Sequence, residues 1–399
     1  MESAASQGER TARILNSMSE IGADAWNRCA QPAHLPYDPF LNHAFLATLE
    51  DSGSATARTG WQPFHVVLEE EGEVLGVAPM YLKGHSQGEY VFDHAWADAW
   101  HRAGGDYYPK LQSCIPFTPA AGRRACTVRD NPELEQTLMG ACAQVASQIE
   151  VSSLHMTFLP KSQWHLAGEI GFLKRLDQQY HWYNPGYASF EEFLVELSSK
   201  KRKNLRRERR DALGHGIEIE WVTGRDLTEN HWDAFYHFYM DTGSRKWGRP
   251  YLTREFFSLI GERLPDDVLL IMCRRGGRYI AGALNFIGGD TLFGRNWGCV
   301  EDHRFLHFEA CYYQAIDFAI DRGLKKVEAG AQGQHKVARG YLPAATYSAH
   351  WIRDASFRDA VAHFLEDERS YVHQDIEHIE RHSPFKSTIN LDNVRNQLK

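Results

Sequence analysis

The sequence of 399 residues predicts a mixed α/β fold arranged as two related domains. The length allows two or three domains, because a domain typically has about 150 residues. A pair of strands around a glycine turn occurs twice, at residues 64–82 and 268–287, and each pair is followed by an amphipathic helix and a further strand. We therefore predict one domain over residues 1–185 and another over residues 186–399.

The first domain is predicted from its hairpin and from the helix and strand that follow. The segment from Phe64 to Leu82, FHVVLEEEGEVLGVAPMYL, reads as two strands rich in valine and leucine around a charged turn. In residues 133–149 apolar side chains recur every three or four positions, which indicates an amphipathic helix. The next segment, SLHMTFL, has the composition of a strand. These elements together predict an α/β domain.

The second domain repeats the same order of elements. The segment from Val268 to Ile287 predicts a hairpin, with its turn at the sequence RGGR of residues 275–278. Residues 307–322 again place apolar side chains at helical spacing, and Gly323 precedes the strand-like segment LKKVEAG. The repetition predicts that the two domains are related.

A helix rich in basic residues is predicted between these two sets of elements, from Phe190 to about Ala212. Within it, residues 200–210 contain eight basic side chains and one acidic one, although the whole chain has a net charge of -8. The mutual repulsion of these cations favours contact with a phosphate-bearing partner. A solvated face with ion pairs to Glu208 is the alternative. The residues predicted to bind phosphate are Lys201, Lys203, Arg206 and Arg210.

The composition argues against several classes of protein. No apolar run approaches the ~20 residues that a membrane-spanning helix needs, so the sequence predicts a soluble protein. Seven scattered cysteines without a C-x-x-C pair argue against a disulfide framework or a cysteine zinc site. The first residues lack the apolar core of a secretory signal, which predicts a cytoplasmic location.

Two polar segments are candidates for ligand binding. Residues 83–110 combine histidines, acids and aromatic rings without periodicity, as the wall of a pocket does, and a polar loop packed over the core is the alternative. Residues 330–343, GAQGQHKVARGYLP, follow a predicted strand and read either as a ligand-binding loop or as a glycine-rich turn with surface cations. The predicted substrate-binding residues are Lys83, His85, Glu89, Asp93, Trp96, Tyr108, Arg295, Trp297, Gly330, Gln332, Gly333, Lys336 and Arg339.

The segment HRFLHFEA carries a further candidate. Its histidines His303 and His307 have the four-residue spacing of metal ligands on a helix, but no third ligand is evident, so no metal site is predicted. Glu309 lies beside Phe308 and Tyr312, whose apolar surroundings can raise the pKa of a carboxyl group and make it a base. A satisfied buried acid is the alternative interpretation.

Several segments, in order along the chain, resemble one known family. They include DPFLNHAFLATLEDSGS, YLKGHSQGEYVFDHAWADAW, LSSKKRKNLRRERR, GRNWGC, LHFEACYYQAIDFAIDRGL and GAQGQHKVARGYLP. From about residue 20 to residue 385 the chain is similar to the uncharacterised FemAB-like proteins of the GNAT superfamily. The resemblance implies two GNAT-like domains in tandem with a Fem transferase-like fold.

The resemblance also implies a transferase that moves an acyl or aminoacyl group onto an amine. Better-known Fem transferases take the group from aminoacyl-tRNA and ordinary GNAT enzymes take it from acyl-CoA. Either donor is therefore expected, with no tightly bound cofactor. The signature R/Q-x-x-G-x-G/A, with which acetyl-CoA users bind pyrophosphate, is absent before both amphipathic helices. Its absence argues against acetyl-CoA.

Such a transfer needs a base for the amine proton and hydrogen-bond donors for the oxyanion. We predict Glu309, His335 or His307 as the base and backbone N–H groups of residues 330–333 as the donors. The two polar segments would wall a cleft between the domains. The alternative is a non-catalytic adaptor, a degenerate transferase scaffold that binds RNA or an anionic surface through the basic helix.

Overall fold

The computed structural model describes residues 9–245, 250–330 and 333–396, which form two compact units. Of the described residues, the first unit takes those within Met1–Leu35, Phe40–Leu176 and Thr346–Ser370, and the second takes those within Pro36–Pro39, Asp177–Ala345 and Tyr371–Lys399. Each unit is thus built from three separate segments of the chain. The division into domains at residue 185 stays a prediction.

The elements of the first half of the chain alternate between strands and helices. They are β1 (Arg10–Leu15), α1 (Ala23–Ala30), α2 (His43–Asp51), β2 (Trp61–Pro63), β3 (His65–Glu70), β4 (Glu73–Ala78), β5 (Tyr81–Lys83), α3 (His94–Arg102), β6 (Lys110–Ser113), β7 (Cys126–Thr127), α4 (Pro132–Gln148), β8 (Ser153–Leu159), α5 (Lys161–Glu169) and β9 (Leu173–Tyr183).

The second half continues in the same manner. Its elements are α6 (Phe190–Glu196), α7 (Ser199–Ala212), β10 (Ile217–Thr223), α8 (Glu229–Arg245), α9 (Arg254–Arg263), β11 (Val268–Arg275), β12 (Arg278–Ile287), β13 (Thr291–Cys299), α10 (Leu306–Phe308), a π-helical turn (Glu309–Tyr313), α11 (Gln314–Asp321), β14 (Lys326–Glu328), β15 (Leu342–Ile352), α12 (Ala355–Arg381) and α13 (Leu391–Asn396).

In the first unit, four antiparallel strands lie in the order β1-β3-β4-β7, and β8 pairs in parallel with β6. The predicted hairpin is present as β3 and β4, with Glu71 and Gly72 at positive φ in its turn. Helix α4 packs on this unit through Leu134, Leu138 and Cys142, which are buried at the positions that the helical spacing indicates. The local pattern therefore predicted these elements correctly.

In the second unit, the strands follow the order β10-β11-β12-β13-β14-β9. The second predicted hairpin is confirmed as β11 and β12, and β13 pairs in parallel with β14. The helical segment from α10 to α11 connects these two parallel strands. Its residues Ala310, Ala315 and Phe318 are buried in the same hydrophobic core as residues of the strands. A parallel pair requires such a crossover connection, which places the helix beside the strand ends.

The basic segment differs from the sequence prediction, because it forms two helices, α6 and α7, instead of one. Leu197 is fully buried and has extended backbone angles, and it forms an isolated β-bridge with Phe385. The next residue, Ser198, donates its backbone N–H to the carbonyl of Pro384 at 2.9 Å. This tertiary pairing interrupts the helix, and a helical spacing pattern alone does not reveal it.

Other sequence expectations can also be compared with the structure. Residues 83–110 were predicted to lack periodic structure, but they contain the helix α3. The seven cysteines form no disulfide bond in the structure, and five of them are buried. Among the helices of the described ranges, none combines the length and the apolar character that crossing a membrane requires.

Candidate active site

A small cavity lies where the parallel strands β13 and β14 separate. The two strands pair only from Thr291 opposite Lys326 to Phe293 opposite Glu328, after which β14 ends and β13 continues. Beyond the last pair is a cavity of about 90 Å³. It is lined by Ala283, Leu284, Asn285, Gly294, Arg295, Asn296, Trp297, His307, Cys311, Tyr312 and Ala329. Ligands of α/β sheets commonly bind at such strand ends.

A β-bulge shapes one wall of this cavity. Leu284 on β12 is opposite Asn296 and Asn285 is opposite Gly294, so Arg295 is the additional residue on β13. A bulge bends its strand and redirects the side chains beside it. A Cβ atom on Gly294 would lie 3.4 Å from the carbonyl oxygen of Glu328 and 3.5 Å from Oδ1 of Asn285. A methyl group at this position would therefore occupy part of the space between the diverging strands at ordinary van der Waals distances.

A π-helical turn shapes the opposite wall. The helix that follows β13 widens over Glu309–Tyr313 before it continues as α11. Turns of this kind insert one extra residue and are frequent at functional sites. His307, Cys311 and Tyr312 line the cavity, whereas Glu309 is not among the lining residues.

Glu309, one predicted base, is fully buried in an ion pair. Its Oε1 accepts hydrogen bonds from Arg209 at 2.9 Å and from Gln314 at 2.7 Å, and Arg209 also binds Asp317 at 2.6 Å. Burial raises the pKa of the Glu309 carboxyl, and the neighbouring Arg209 opposes this shift. The contacts fit a structural acid that holds α7 against the π turn. A catalytic role for Glu309 stays a prediction.

The other two predicted bases lie around Tyr312. The hydroxyl of Tyr312 is 3.0 Å from Nε2 of His335, and the His307 ring lies edge-on to both Trp297 and Tyr312 with centroids 5.4 Å apart. Burial raises the pKa of Tyr312, so its hydroxyl keeps its proton at neutral pH. Partial burial, together with Arg339 and Lys336, lowers the pKa of His335 and favours the neutral imidazole.

The glycine-rich segment after β14 forms a short turn over Gln334–Arg339. Nζ of Lys336 is buried and donates to the carbonyls of Ala329 at 2.6 Å and Gly330 at 3.0 Å. Burial lowers the pKa of Lys336 to about 8. The Arg339 guanidinium lies 3.4 Å from the centroid of the Phe308 ring. Both cations therefore hold this turn against the cavity wall.

The remaining predictions for this segment concern its glycines and its amides. Gly330 and Gly333 have φ values of 78° and 107°, a left-handed conformation that favours glycine. Gln332 lies outside the described residues, as does part of the 330–333 stretch predicted to supply oxyanion donors. Their roles in substrate binding stay predictions.

The predicted pocket residues of the first unit form a buried ionic network. Lys110 is fully buried and donates to Ser86 at 2.9 Å, to Glu89 at 2.7 Å and to Asp93. Burial disfavours its charge, but the two carboxylates outweigh burial and raise the pKa of Lys110. Lys83 lies opposite Lys110 on β5, with Nζ 3.9 Å from Glu89. Burial lowers the pKa of Lys83 to about 7 and raises the pKa of Glu89 to about 7, so the two lysines and two acids of this interior site are not all fully charged at neutral pH.

A hydrogen-bonded chain extends this network. Tyr107 donates to Asp93 at 2.7 Å and contacts Nε2 of His155 at 3.1 Å, and Nδ1 of His155 is 2.7 Å from Nδ1 of His350. Trp96 packs edge-on against His350 with ring centroids 4.9 Å apart. Burial lowers the pKa of both histidines, to about 3 in His155 and well below its usual value in His350. Both rings are therefore neutral at pH 7.

Two predicted pocket residues lie at the margin of the network. The hydroxyl of Tyr108 is 2.8 Å from Ser86, and Nε2 of His85 is 3.0 Å from the carbonyl of Thr59. The buried polar side chains of this segment, Ser86, Glu89, Asp93, Tyr107 and Lys110, thus bind one another. The substrate-binding role predicted for this segment stays a prediction.

The residues predicted to bind phosphate lie on α7. Lys203, Arg206 and Arg210 are exposed, and Lys201 is half-buried. Arg206 forms an ion pair with Glu191. No three histidine, cysteine or acidic side chains meet as metal ligands in the part of the chain that the structure describes.

The sequence matches one family profile over nearly its whole length. The FemAB_like profile, described as peptidoglycan biosynthesis/recognition, matches residues 17–387. No curated protein sequence matches the chain at a significant level.

Solved structures share the fold at low sequence identity. The crystal structure of FemX has a TM-score of 0.54 and 13% identity, covering 89% of this chain and 100% of its own. L-PGS from Bacillus licheniformis has a TM-score of 0.51 and 10% identity, covering 83% and 98%. The C-terminal domain of a putative lysylphosphatidylglycerol synthetase from Agrobacterium fabrum has a TM-score of 0.51 and 9% identity, covering 88% and 97%. These likenesses confirm the predicted α/β, Fem transferase-like fold.

Proposed function

The chain belongs to the FemAB-like family, and on that premise we propose that it transfers an acyl or aminoacyl group onto an amine acceptor. The observation that carries this proposal is the cavity where β13 and β14 separate, because His307 and Tyr312 line it together. Such a cavity holds an acyl carbonyl between a base and a hydrogen-bond donor, which is what amide formation needs.

The chemical step forms a C–N bond and breaks the bond between the acyl carbon and its carrier. The acceptor amine attacks the carbonyl carbon, and His307 takes the proton that the nitrogen must lose. The electron pair of the broken bond leaves with the carrier atom, which recovers a proton. His307 is the preferred base because it lines the cavity, while Glu309 is held in its ion pair with Arg209.

Tyr312 supports the developing negative charge. Because its hydroxyl is protonated at neutral pH, it can donate a hydrogen bond to the carbonyl oxygen as this oxygen becomes an oxyanion. His335, with a proton on Nε2, would donate to the Tyr312 oxygen and orient it. Backbone N–H groups of residues 330–333 are proposed as additional donors.

The donor and the acceptor are part of the proposal. The family description favours an amine of a peptidoglycan precursor as acceptor, and aminoacyl-tRNA or acyl-CoA remains the proposed donor, with no tightly bound cofactor. The name of the Agrobacterium neighbour includes a lysyl group, which favours an aminoacyl donor. A cytoplasmic location and two tandem GNAT-like domains belong to the same proposal.

The test offers the purified chain both classes of donor with a peptide that carries a free lysine amine. Mass spectrometry of the peptide should detect the added mass of an acyl or aminoacyl group. His307→Ala should lower the rate by about 10²- to 10⁴-fold, the usual contribution of a positioned base. His303→Ala is the matched control, because His303 binds Glu301 and does not line the cavity.

Two outcomes would contradict this proposal. The wild-type chain would give no acylated peptide with either donor class, or the His307 and His303 variants would lose activity equally. A non-catalytic adaptor, the alternative from the sequence, is not favoured by membership of this family.

A further inference from the structure

The outer face of α7 carries four cations in one line. Lys200, Lys203, Arg207 and Arg210 are three or four residues apart, so they fall within roughly 80° of the helix circumference. All four are exposed, whereas Leu205 on the opposite side is buried. We call these four residues the outer basic stripe.

The inner face of α7 uses its charges within the protein. Arg209 binds Glu309 at 2.9 Å and Asp317 at 2.6 Å, and Glu208 accepts a hydrogen bond from Arg339 at 2.8 Å. These pairs fix α7 to the π turn and to the turn that follows β14. The stripe therefore lies on a helix that is anchored directly to the wall of the proposed active site.

The outer basic stripe has little opposite charge around it. Within the described ranges, Asp211 is the one carboxylate in contact with it, 3.1 Å from Arg210, and the Arg210 side chain is still 75% exposed. Like charges three and four residues apart on a helix repel one another. A ligand that supplies several negative charges along the line would remove this repulsion.

We propose that the outer basic stripe binds the phosphodiester backbone of a single-stranded nucleic acid. The four cations span ten residues, which is about 15 Å at 1.5 Å per residue. A ligand with phosphates repeated along its length can contact all four, whereas one or two phosphates reach only part of the line. This inference rests on the proposed function only for the expectation that the protein has a phosphate-bearing partner. Binding of a nucleic acid to the stripe does not itself require the acyl-transfer reaction.

The composition of the stripe favours a nucleic acid over a membrane surface. Helices that bind membranes at their surface place aromatic or aliphatic side chains beside their cations, so that these enter the lipid. Between Lys200 and Arg210 the one large apolar residue is Leu205, and it is buried in the core. The stripe therefore offers charge without an inserting group.

The test measures binding of fluorescein-labelled 20-nucleotide RNA and DNA strands by fluorescence anisotropy at several salt concentrations. Lys203→Glu with Arg207→Glu should raise the Kd at least tenfold. The slope of log K against log salt should become shallower by about 1.4, because each phosphate contact on a single strand contributes about 0.7. Comparison of the Kd for the RNA strand with the Kd for the DNA strand identifies which nucleic acid the stripe prefers.

Arg225→Glu with Lys325→Glu is the matched control, because it reverses two exposed cations outside α7. This control should change the Kd less than threefold. Equal weakening in both double variants would overturn the proposal, and so would a wild-type chain that binds phosphatidylglycerol vesicles but neither strand. His307→Ala should bind the strand as the wild type does. Failure of the transfer reaction is thereby distinguished from failure of this binding surface.

Discussion

Two regions of the molecule combine histidines, tyrosines and charged groups, and they use them in opposite ways. In the first unit, Lys110, Asp93 and Glu89 are buried and bind one another, and Tyr107 and His155 continue the chain. In the second unit, a comparable set of polar groups surrounds an open cavity. The sequence contains similar residue types in both regions.

The difference shows what separates a closed polar network from a polar cavity. In the network, the Lys110 ammonium has three acceptors, Ser86, Glu89 and Asp93, and three protons to donate. At the cavity, the Tyr312 hydroxyl has one partner among the residues that the structure describes, His335, and keeps capacity for another. Among the described residues the buried network also keeps one unpartnered oxygen each on Glu89 and Asp93, so the presence of a cavity, and not spare hydrogen-bonding capacity alone, distinguishes the second region.

The largest expected effect is on the closed network. Lys110→Met removes the ammonium group that contacts both Glu89 and Asp93, and breaking a buried pair in this way costs about 3 to 5 kcal/mol. Urea denaturation should detect the loss of free energy of unfolding. Lys161→Met, at an exposed lysine, is the control and should leave the transition unchanged. A Lys110 variant as stable as this control would mean that the network is not structural.

The next effect concerns the cavity. Tyr312→Phe removes the hydroxyl that is proposed to bind the oxyanion, and loss of one such donor lowers turnover by about 10²- to 10³-fold. The melting temperature should change little, because the aromatic packing against Tyr341 remains. Single-turnover rates and melting curves check both statements. Normal turnover in this variant would remove Tyr312 from the mechanism.

A smaller effect is expected at Glu309, which belongs to the second unit but resembles the network. Glu309→Gln weakens the ion pair with Arg209, and we expect a loss of about 1 to 3 kcal/mol in unfolding free energy. Turnover of the folded protein should stay within about threefold of the wild type, because the carboxylate does not line the cavity. If turnover fell 100-fold while the melting temperature held, Glu309 would be the base after all.

The smallest effect is a pH dependence of stability in the first unit. The pKa values of His155 and His350 are lowered in the folded protein, so the unfolded chain binds more protons below its own pKa of about 6.5. Stability is therefore fully present above that pH and is lost as the pH falls, by roughly 1 kcal/mol per histidine between pH 6.5 and 5.5. Unfolding at both pH values should show a shallower dependence in His350→Gln. Identical dependence in variant and wild type would argue against this assignment.

The accuracy of the sequence predictions depended on how far apart along the chain the interacting residues are. The hairpins and α4 were predicted correctly because each depends on neighbours within a few positions. His307 was predicted as a base and does line the cavity, but its role is untested. Tyr312 was missed as a donor, because the π turn that directs it to the cavity leaves no periodic signal. A tyrosine beside two histidines was the one available indication.

The sequence by itself determined the two hairpins and the helix after each, the concentration of charge in residues 200–210 and the resemblance to one family, all of which depend on local or directly readable patterns. Only the tertiary structure decided that Glu309 meets Arg209, 100 positions away, and that His335 meets Tyr312 across the turn after β14. It also decided that Glu208 of α7 meets Arg339, whereas Lys200 and Lys203 of the same helix are exposed. The physical reason is that burial and pairing depend on which surfaces pack together, and helical or strand spacing fixes only the face on which a side chain lies.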